Sequence, residues 1–220
     1  MTNARKFDAI LFDLDGTLTD SGEGIMNSVR YALTKMGAPI PPVEVLRAFV
    51  GPPLTEAFRD RCGMNEAQCE EAVRTYREYY KERGMLENRV YDGIPEMLEA
   101  LVKRGERLVL ATSKPEHFAR QIMAHFHLAS YFFYIGGALT DGTRKEKAEV
   151  IAYVLETIGA DPARCLMIGD RCYDAEGASA FGIKTVGVTW GYGSEEELTD
   201  AGARYIARTP AEIVEVIDRV

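Results

Sequence analysis

No stretch of this chain is apolar for the roughly 18–20 residues that a membrane helix needs. Lysine and arginine form no cluster or stripe, and the formal net charge is −8. Nucleic acids and anionic membranes are therefore not expected partners. Cysteine is scarce: Cys62, Cys69, Cys165 and Cys172 are the four present. None forms a C-x-x-C pair, and His117, His125 and His127 are not spaced with them as a zinc site requires. They read as reduced thiols used as small core residues. With no secretion signal in the polar start Met1–Lys6, this predicts a cytoplasmic protein. Internal repeats and low-complexity tracts are also missing, and the sequence carries no signal for oligomeric state. What remains is an ordinary globular composition over 220 residues, 46% hydrophobic and 27% charged, long enough to bury a sizeable core.

Phe7–Phe12 (FDAILF) is a short apolar run that stops at Asp13 and reads as a strand buried on both faces. Arg107–Thr112, Cys165–Gly169 and Lys184–Val188 have the same character. Phe132–Ile135 is a plausible fifth strand and Tyr205–Ala207 a weaker sixth. Helical patterns lie between them. Lys147–Ile158 puts Ile151, Val154, Leu155 and Ile158 on one face, and Pro95 sits at a favourable first-turn position of another helix. This alternation predicts right-handed βαβ units and an α/β fold with a Rossmann-like parallel sheet. From about Gly22 to Arg83 the alternation stops. Ile25, Val29, Leu33 and Met36 share a helical face, Glu66–Arg83 is strongly helical, and no strand is evident. An all-helical segment inserted there is a lid candidate above the carboxyl ends of the strands; the alternative is a bundle that only packs on the core.

Asp13 and Asp15 stand two residues apart where a buried strand ends, so an extended backbone points both carboxylates to one side. Burying two anions together is costly without a counter-charge, and a hard cation such as magnesium suits oxygen ligands. An Asp-rich capping turn explains the same residues if they are taken alone. Thr112 and Ser113 end a second strand ahead of a helix, which suits either a phosphate seat or an N-cap. Asp170, with Asp174 one helical turn on, ends a third. Lys147 begins a helix, an unfavourable place for a cation unless an anion lies nearby. Lys145 competes with it. Together these strand ends supply acids, a hydroxyl and a seat for phosphate.

Phe12–Ser21 (FDLDGTLTDS) resembles the first motif of the haloacid dehalogenase superfamily of phosphohydrolases. Leu110–Lys114 (LATSK), Lys147 in TRKEKAEVI, and Met167–Asp174 (MIGDRCYD) resemble its second, third and fourth motifs, in the family's order. The helical segment is similar to the C1 cap of the phosphoglycolate phosphatase and β-phosphoglucomutase branch. DSGEGI, GPPL and YDGI are similar to proteins labelled phosphoglycolate phosphatase-like or 5′-nucleotidase-like. The resemblance implies a core of residues 1–19 and 88–220 with a helical cap domain at 20–87. It implies Asp13 as the nucleophile that forms an aspartyl-phosphate, and Asp15 as general acid and then base. It implies Mg²⁺ held by the Asp13 carboxylate, the Asp15 backbone carbonyl and the Asp170 carboxylate, with Asp174 in support. Thr112, the Ser113 N–H and Lys147 would hold the phosphate. Two departures stand out: Ser113 replaces a frequent Asn, and Lys147 is followed by Ala148 rather than Pro, which keeps Lys145 in play. Cys172, inside the fourth motif, is expected to be a bystander.

The expected activity is Mg-dependent hydrolysis of small phosphorylated metabolites, of the phosphoglycolate or nucleoside 5′-monophosphate type. Ser21, Glu23 and the Gly51–Leu54 loop are the candidate specificity positions. A sugar-phosphate mutase of the β-phosphoglucomutase kind would share the same core residues. A receiver-type signalling module phosphorylated at Asp13 is disfavoured by the inserted segment and by Asp15. A dehalogenase is disfavoured because Asp15 has no role in displacing a halide.

Overall fold

The computed structural model describes residues 5–220. Of the polar start Met1–Lys6, read above for the absence of a secretion signal, Met1–Ala4 lie outside the described residues. The strands are β1 (Ala9–Phe12), β2 (Thr19–Asp20), β3 (Arg89–Val90), β4 (Leu108–Pro115), β5 (Phe132–Ala138), β6 (Cys165–Gly169), β7 (Lys184–Val188) and β8 (Tyr205–Ala207). Six form one sheet in the order β5-β4-β1-β6-β7-β8, and every pair in it is parallel. β2 and β3 form a separate two-stranded sheet. The chain divides into two compact units, one running to Thr19 and resuming at Val90–Val220, the other Asp20–Arg89.

Asp20–Arg89 is helical. It contains α1 (Gly22–Lys35), α2 (Val43–Arg47), α3 (Leu54–Cys62) and α4 (Glu66–Tyr79). α4 opens on a reciprocal cap in which Asn65 accepts from the Gln68 N–H and the Gln68 side chain accepts from the Asn65 N–H. The pattern Glu66–Arg83 predicts one continuous helix, but α4 passes into a single π turn at Tyr80–Gly84. The reason is local crowding. A Cβ on Gly24 of α1 would collide with the Gly84 carbonyl oxygen, and one on Gly84 would reach the Ser28 Oγ at 2.5 Å. The widened turn and the two glycines together allow the backbones to meet.

The other unit carries α5 (Ile94–Lys103), α6 (Glu116–His125), α7 (Lys147–Ile158), α8 (Cys172–Ser179), α9 (Glu195–Asp200) and α10 (Pro210–Arg219). On one face of the sheet, Val150, Ile151, Val154 and Leu155 of α7 and Ala178 of α8 pack with Ala9, Leu11, Val109, Ala111, Cys165 and Met167. Strand alternation turns Ile10 and Phe12 the other way, and they too are fully buried. This is why the strands read as apolar runs rather than alternating ones. β4 and β5 extend three residues beyond the expected Thr112 and Ile135. Glycine masked the second extension: a Cβ on Gly136 would strike Val154 of α7, so the residue marks close packing and not a strand end.

After β5 the chain crosses back over β1 to form β6. The carboxyl ends of β4, β1 and β6 are thus neighbours at the point where strand order reverses, the place where open α/β sheets bind ligands. All four cysteines are free thiols. No helix among the described residues is long and apolar enough to cross a membrane.

Candidate active site

β1 delivers Asp13 to the site. Its N–H donates to the Ile168 carbonyl of β6 at 2.9 Å, continuing the ladder one residue past the strand. The chain then turns sharply. Gly16 has φ +87°, and its N–H donates to the Thr19 carbonyl at 2.7 Å. Such a φ favours glycine. Space demands it as well, because a Cβ there would collide with the Asp170 carboxylate.

Lys147 stands at the first position of α7, with its side chain only 5% exposed. Its ammonium donates to Asp13 Oδ1 at 2.6 Å and to the Ala111 carbonyl at 2.9 Å, and pairs with Asp174 Oδ1 at 2.7 Å. Gly177 of α8 leaves room for the stem; a Cβ on it would lie 2.7 Å from Lys147 Cγ. Burial favours the neutral amine, but Asp13 and Asp174 outweigh it and hold the ammonium above its ordinary range. The anion that the helix-start position demanded is therefore supplied by the protein itself. Lys145 is half exposed and lies 3.3 Å from Glu146, outside this cluster.

Asp170 is fully buried. It accepts from Thr17 Oγ1 at 3.2 Å and from the Tyr192 N–H at 2.8 Å. Glycines crowd around it: a Cβ on Gly191 would collide with its carboxylate, and one on Gly193 with its carbonyl oxygen. Burial, then Asp174 and Asp13, push its carboxyl well above the usual carboxylate range. Asp174 accepts from the Arg171 N–H at 3.1 Å as part of a helix cap. Its carboxyl is pushed up to about 6, chiefly by burial, with Lys147 opposing and Asp13 adding to the rise.

Asp15 points elsewhere. Its Oδ2 pairs with Lys114 Nζ at 2.6 Å, with side chains 13% and 5% exposed. Thr112 is buried and its Oγ1 accepts the Lys114 N–H at 3.2 Å. Ser113 is half-buried between them.

One oxygen from each of Asp13, Asp170 and Asp174 lies within 4.8 Å of the others, a set that could hold a metal ion. The charges agree. Asp13, Asp15, Asp170 and Asp174 bring −4 when ionised, and Lys114 and Lys147 return +2, leaving −2; Arg171 and Glu197 cancel one another at 2.8 Å. A buried double negative charge suits a divalent ion bound by hard oxygen ligands.

The structure thus brings Asp13, Lys147, Asp170 and Asp174 into one cluster and sets Asp15, Thr112 and Ser113 at the neighbouring strand ends. The Asp15 carboxylate is outside the converging acids, and Asp174 is inside them. Two parts of the site are not marked by the sequence motifs. Lys114, within LATSK, pairs with Asp15, and its place at a buried strand's carboxyl end is the one signal for it. The loop Thr189–Ser194 after β7 supplies Gly191, Tyr192 and Gly193 around Asp170 and carries no such signal.

Residues 10–188 match the family model described as haloacid dehalogenase-like hydrolase. A 5′-nucleotidase of Pseudomonas aeruginosa is 50% identical over 195 residues, covering 89% of this chain and 88% of that protein. A protein of Mycobacterium tuberculosis named tyrosine-protein kinase PtkA is 47% identical over 184 residues, covering 84% of this chain and 62% of that longer protein. Among solved structures, a predicted phosphatase from Clostridium acetobutylicum superimposes with a TM-score of 0.93 at 44% identity, covering 97% of this chain and 99% of that one.

Proposed function

The chain belongs to the haloacid dehalogenase-like hydrolase family and is a phosphoric monoester hydrolase, and from that premise we propose that it hydrolyses small phosphorylated metabolites, nucleoside 5′-monophosphates foremost, with Mg²⁺ and through an aspartyl-phosphate on Asp13. The observation that carries this reading is the buried contact of Lys147 with Asp13 at 2.6 Å beside Asp170 and Asp174. A carboxylate at a strand end, held in place by a buried ammonium, is equipped to attack phosphorus.

Asp13 forms a bond to phosphorus as the bond to the leaving oxygen breaks, and Asp15 gives that oxygen a proton. Asp15 then takes a proton from water as the water attacks phosphorus and releases Asp13. Lys147, the Thr112 hydroxyl and the Ser113 N–H meet the charge on the phosphoryl oxygens. The carboxylates of Asp13 and Asp170 and the Asp15 backbone carbonyl would hold Mg²⁺, with Asp174 beside them, and the ion would supply positive charge for the same oxygens. The helical unit Asp20–Arg89 is assigned the part of a cap domain, with Ser21, Glu23 and the Gly51–Leu54 loop setting specificity. The four free thiols support a cytoplasmic setting.

Released phosphate is measured across nucleoside 5′-monophosphates, phosphoglycolate and hexose 1-phosphates, with Mg²⁺ and with EDTA. The expected result is metal-dependent phosphate release, strongest on nucleoside 5′-monophosphates, whose relative of that activity is 50% identical. Conversion of a hexose 1-phosphate to its isomer without phosphate release would instead support a mutase. Turnover indifferent to EDTA would overturn the metal assignment.

A further inference from the structure

Lys114 is a buried cation that the mechanism above does not use. Its place depends on a chain of local constraints. The ladder between β4 and β5 shifts register between Thr112 and Pro115, so an irregularity re-aims the side chains there. The Thr112 hydroxyl takes up the Lys114 N–H at 3.2 Å, closing the turn internally. On β5, Gly137 makes room: a Cβ there would lie 2.7 Å from the Lys114 carbonyl oxygen and 2.8 Å from Glu116 Cα. Glu116 is itself fixed by Arg144 at 3.0 Å. All of this backbone presents one ammonium to Asp15 Oδ2 at 2.6 Å.

The two oxygens of Asp15 are thereby made different. Oδ2 is engaged by Lys114, whereas Oδ1 is buried and has no hydrogen-bond partner among the described residues. A buried carboxylate oxygen without a donor is an uncommon and costly arrangement. It becomes useful if that oxygen exchanges a proton with a group arriving from outside the chain.

Building on the reading of Asp15 as the proton carrier, we propose that Lys114 is a positioning residue that clamps Oδ2 and presents Oδ1 to the leaving oxygen and then to water. The proton passes from Asp15 to the leaving oxygen as the ester bond to phosphorus breaks and Asp13 bonds to phosphorus. The carboxylate so formed, still clamped, takes the proton of the water that releases Asp13. Lys114 gains and loses nothing in either step.

The test compares two substrates in one preparation, so any loss of folded enzyme cancels in their ratio. A nucleoside 5′-monophosphate has an alkoxide leaving group that needs the proton; p-nitrophenyl phosphate has one that needs it far less. kcat/KM reports the steps up to formation of the aspartyl-phosphate. Lys114→Met is expected to lower kcat/KM about 10- to 100-fold on the nucleotide, a fraction of the usual contribution of general acid catalysis, and less than about 5-fold on p-nitrophenyl phosphate. Lys114→Arg should recover part of the nucleotide rate. Asp15→Asn should show the same selective loss in larger degree, and adding Lys114→Met to it should cost nothing more. Equal losses on both substrates in Lys114→Met, with Asp15→Asn remaining selective, would overturn the role of Lys114 alone. Equal losses in Asp15→Asn would overturn the reading of Asp15 on which it stands.

Discussion

Replacing Lys147 by Met keeps most of the volume of the side chain, shortens it by one atom and removes the charge. In the folded protein that side chain is 5% exposed, and its ammonium lies 2.6 Å from Asp13 and 2.7 Å from Asp174. Its loss strands two buried carboxylates beside a third, Asp170. Breaking a buried pair by removing one partner costs about 3–5 kcal/mol, mostly because the remaining charge is left uncompensated. The deficit must depend on pH. Even with Lys147 present, the Asp174 carboxyl titrates near 6, against 3.8 ordinarily. Without the ammonium it rises further, and below its pKa the acid becomes neutral and ceases to need a partner. Urea unfolding in EDTA should therefore show a loss of ~3–5 kcal/mol at about pH 7.5 that shrinks by at least half at about pH 5. Lys145→Met, at an exposed position, should change stability by less than ~0.5 kcal/mol. Phosphate release at saturating Mg²⁺ should fall at least ~100-fold in Lys147→Met only, as for loss of one donor to a developing charge. Equal and small stability changes in the two variants would refute the placement of Lys147.

Gly16→Ala combines a left-handed φ of +87° with a collision against Asp170. It should cost ~2–4 kcal/mol, measured by urea unfolding at unchanged m. Gly37→Ala, at φ +64° with nothing near its Cβ, carries only backbone strain and should cost ~1 kcal/mol; equal losses would argue against the close approach of Asp170. Asp170 and Asp174 have raised carboxyls, so the folded protein binds more protons than the unfolded one between about pH 4 and 6. Metal-free stability contributed by these groups consequently falls as pH rises through that window. Mg²⁺ competes with those protons, and its gain in Tm should be small near pH 5 and largest above about pH 7. A gain independent of pH would count against an ion held by Asp170 with Asp174 beside it.

The sheet was legible because its strands are buried on both faces, so that FDAILF, CLMIG and KTVGV stand out as apolar runs, the first two of which stop at chemistry-bearing residues. Asp13 and Asp170 could be singled out by sitting at those stops, and Lys147 by its awkward place at a helix start. What could not be read depends on neighbours distant in sequence. Lys114 reaches Asp15 only because the end of β4 is irregular and Gly137, on another strand, leaves space for it. The cradle around Asp170 comes from Gly16, Gly191 and Gly193, which as isolated letters signal only turns. The π turn after α4 is likewise decided by where Gly84 meets Gly24, and no helical periodicity within Glu66–Arg83 encodes that meeting.

A phosphoryl group carried by Asp13 can be trapped and located directly. Borohydride reduction of enzyme acid-quenched during turnover converts an acyl phosphate to an alcohol, and peptide mass spectrometry locates it. With p-nitrophenyl phosphate as substrate, whose leaving group needs little protonation, homoserine is expected at position 13 in the wild type, more of it in Asp15→Asn, where the intermediate still forms but water is not activated, and none in Asp13→Asn, which should also release no phosphate while remaining folded. Steady turnover with residue 13 unmodified at every quench time, or full activity in Asp13→Asn, would contradict an aspartyl-phosphate on Asp13.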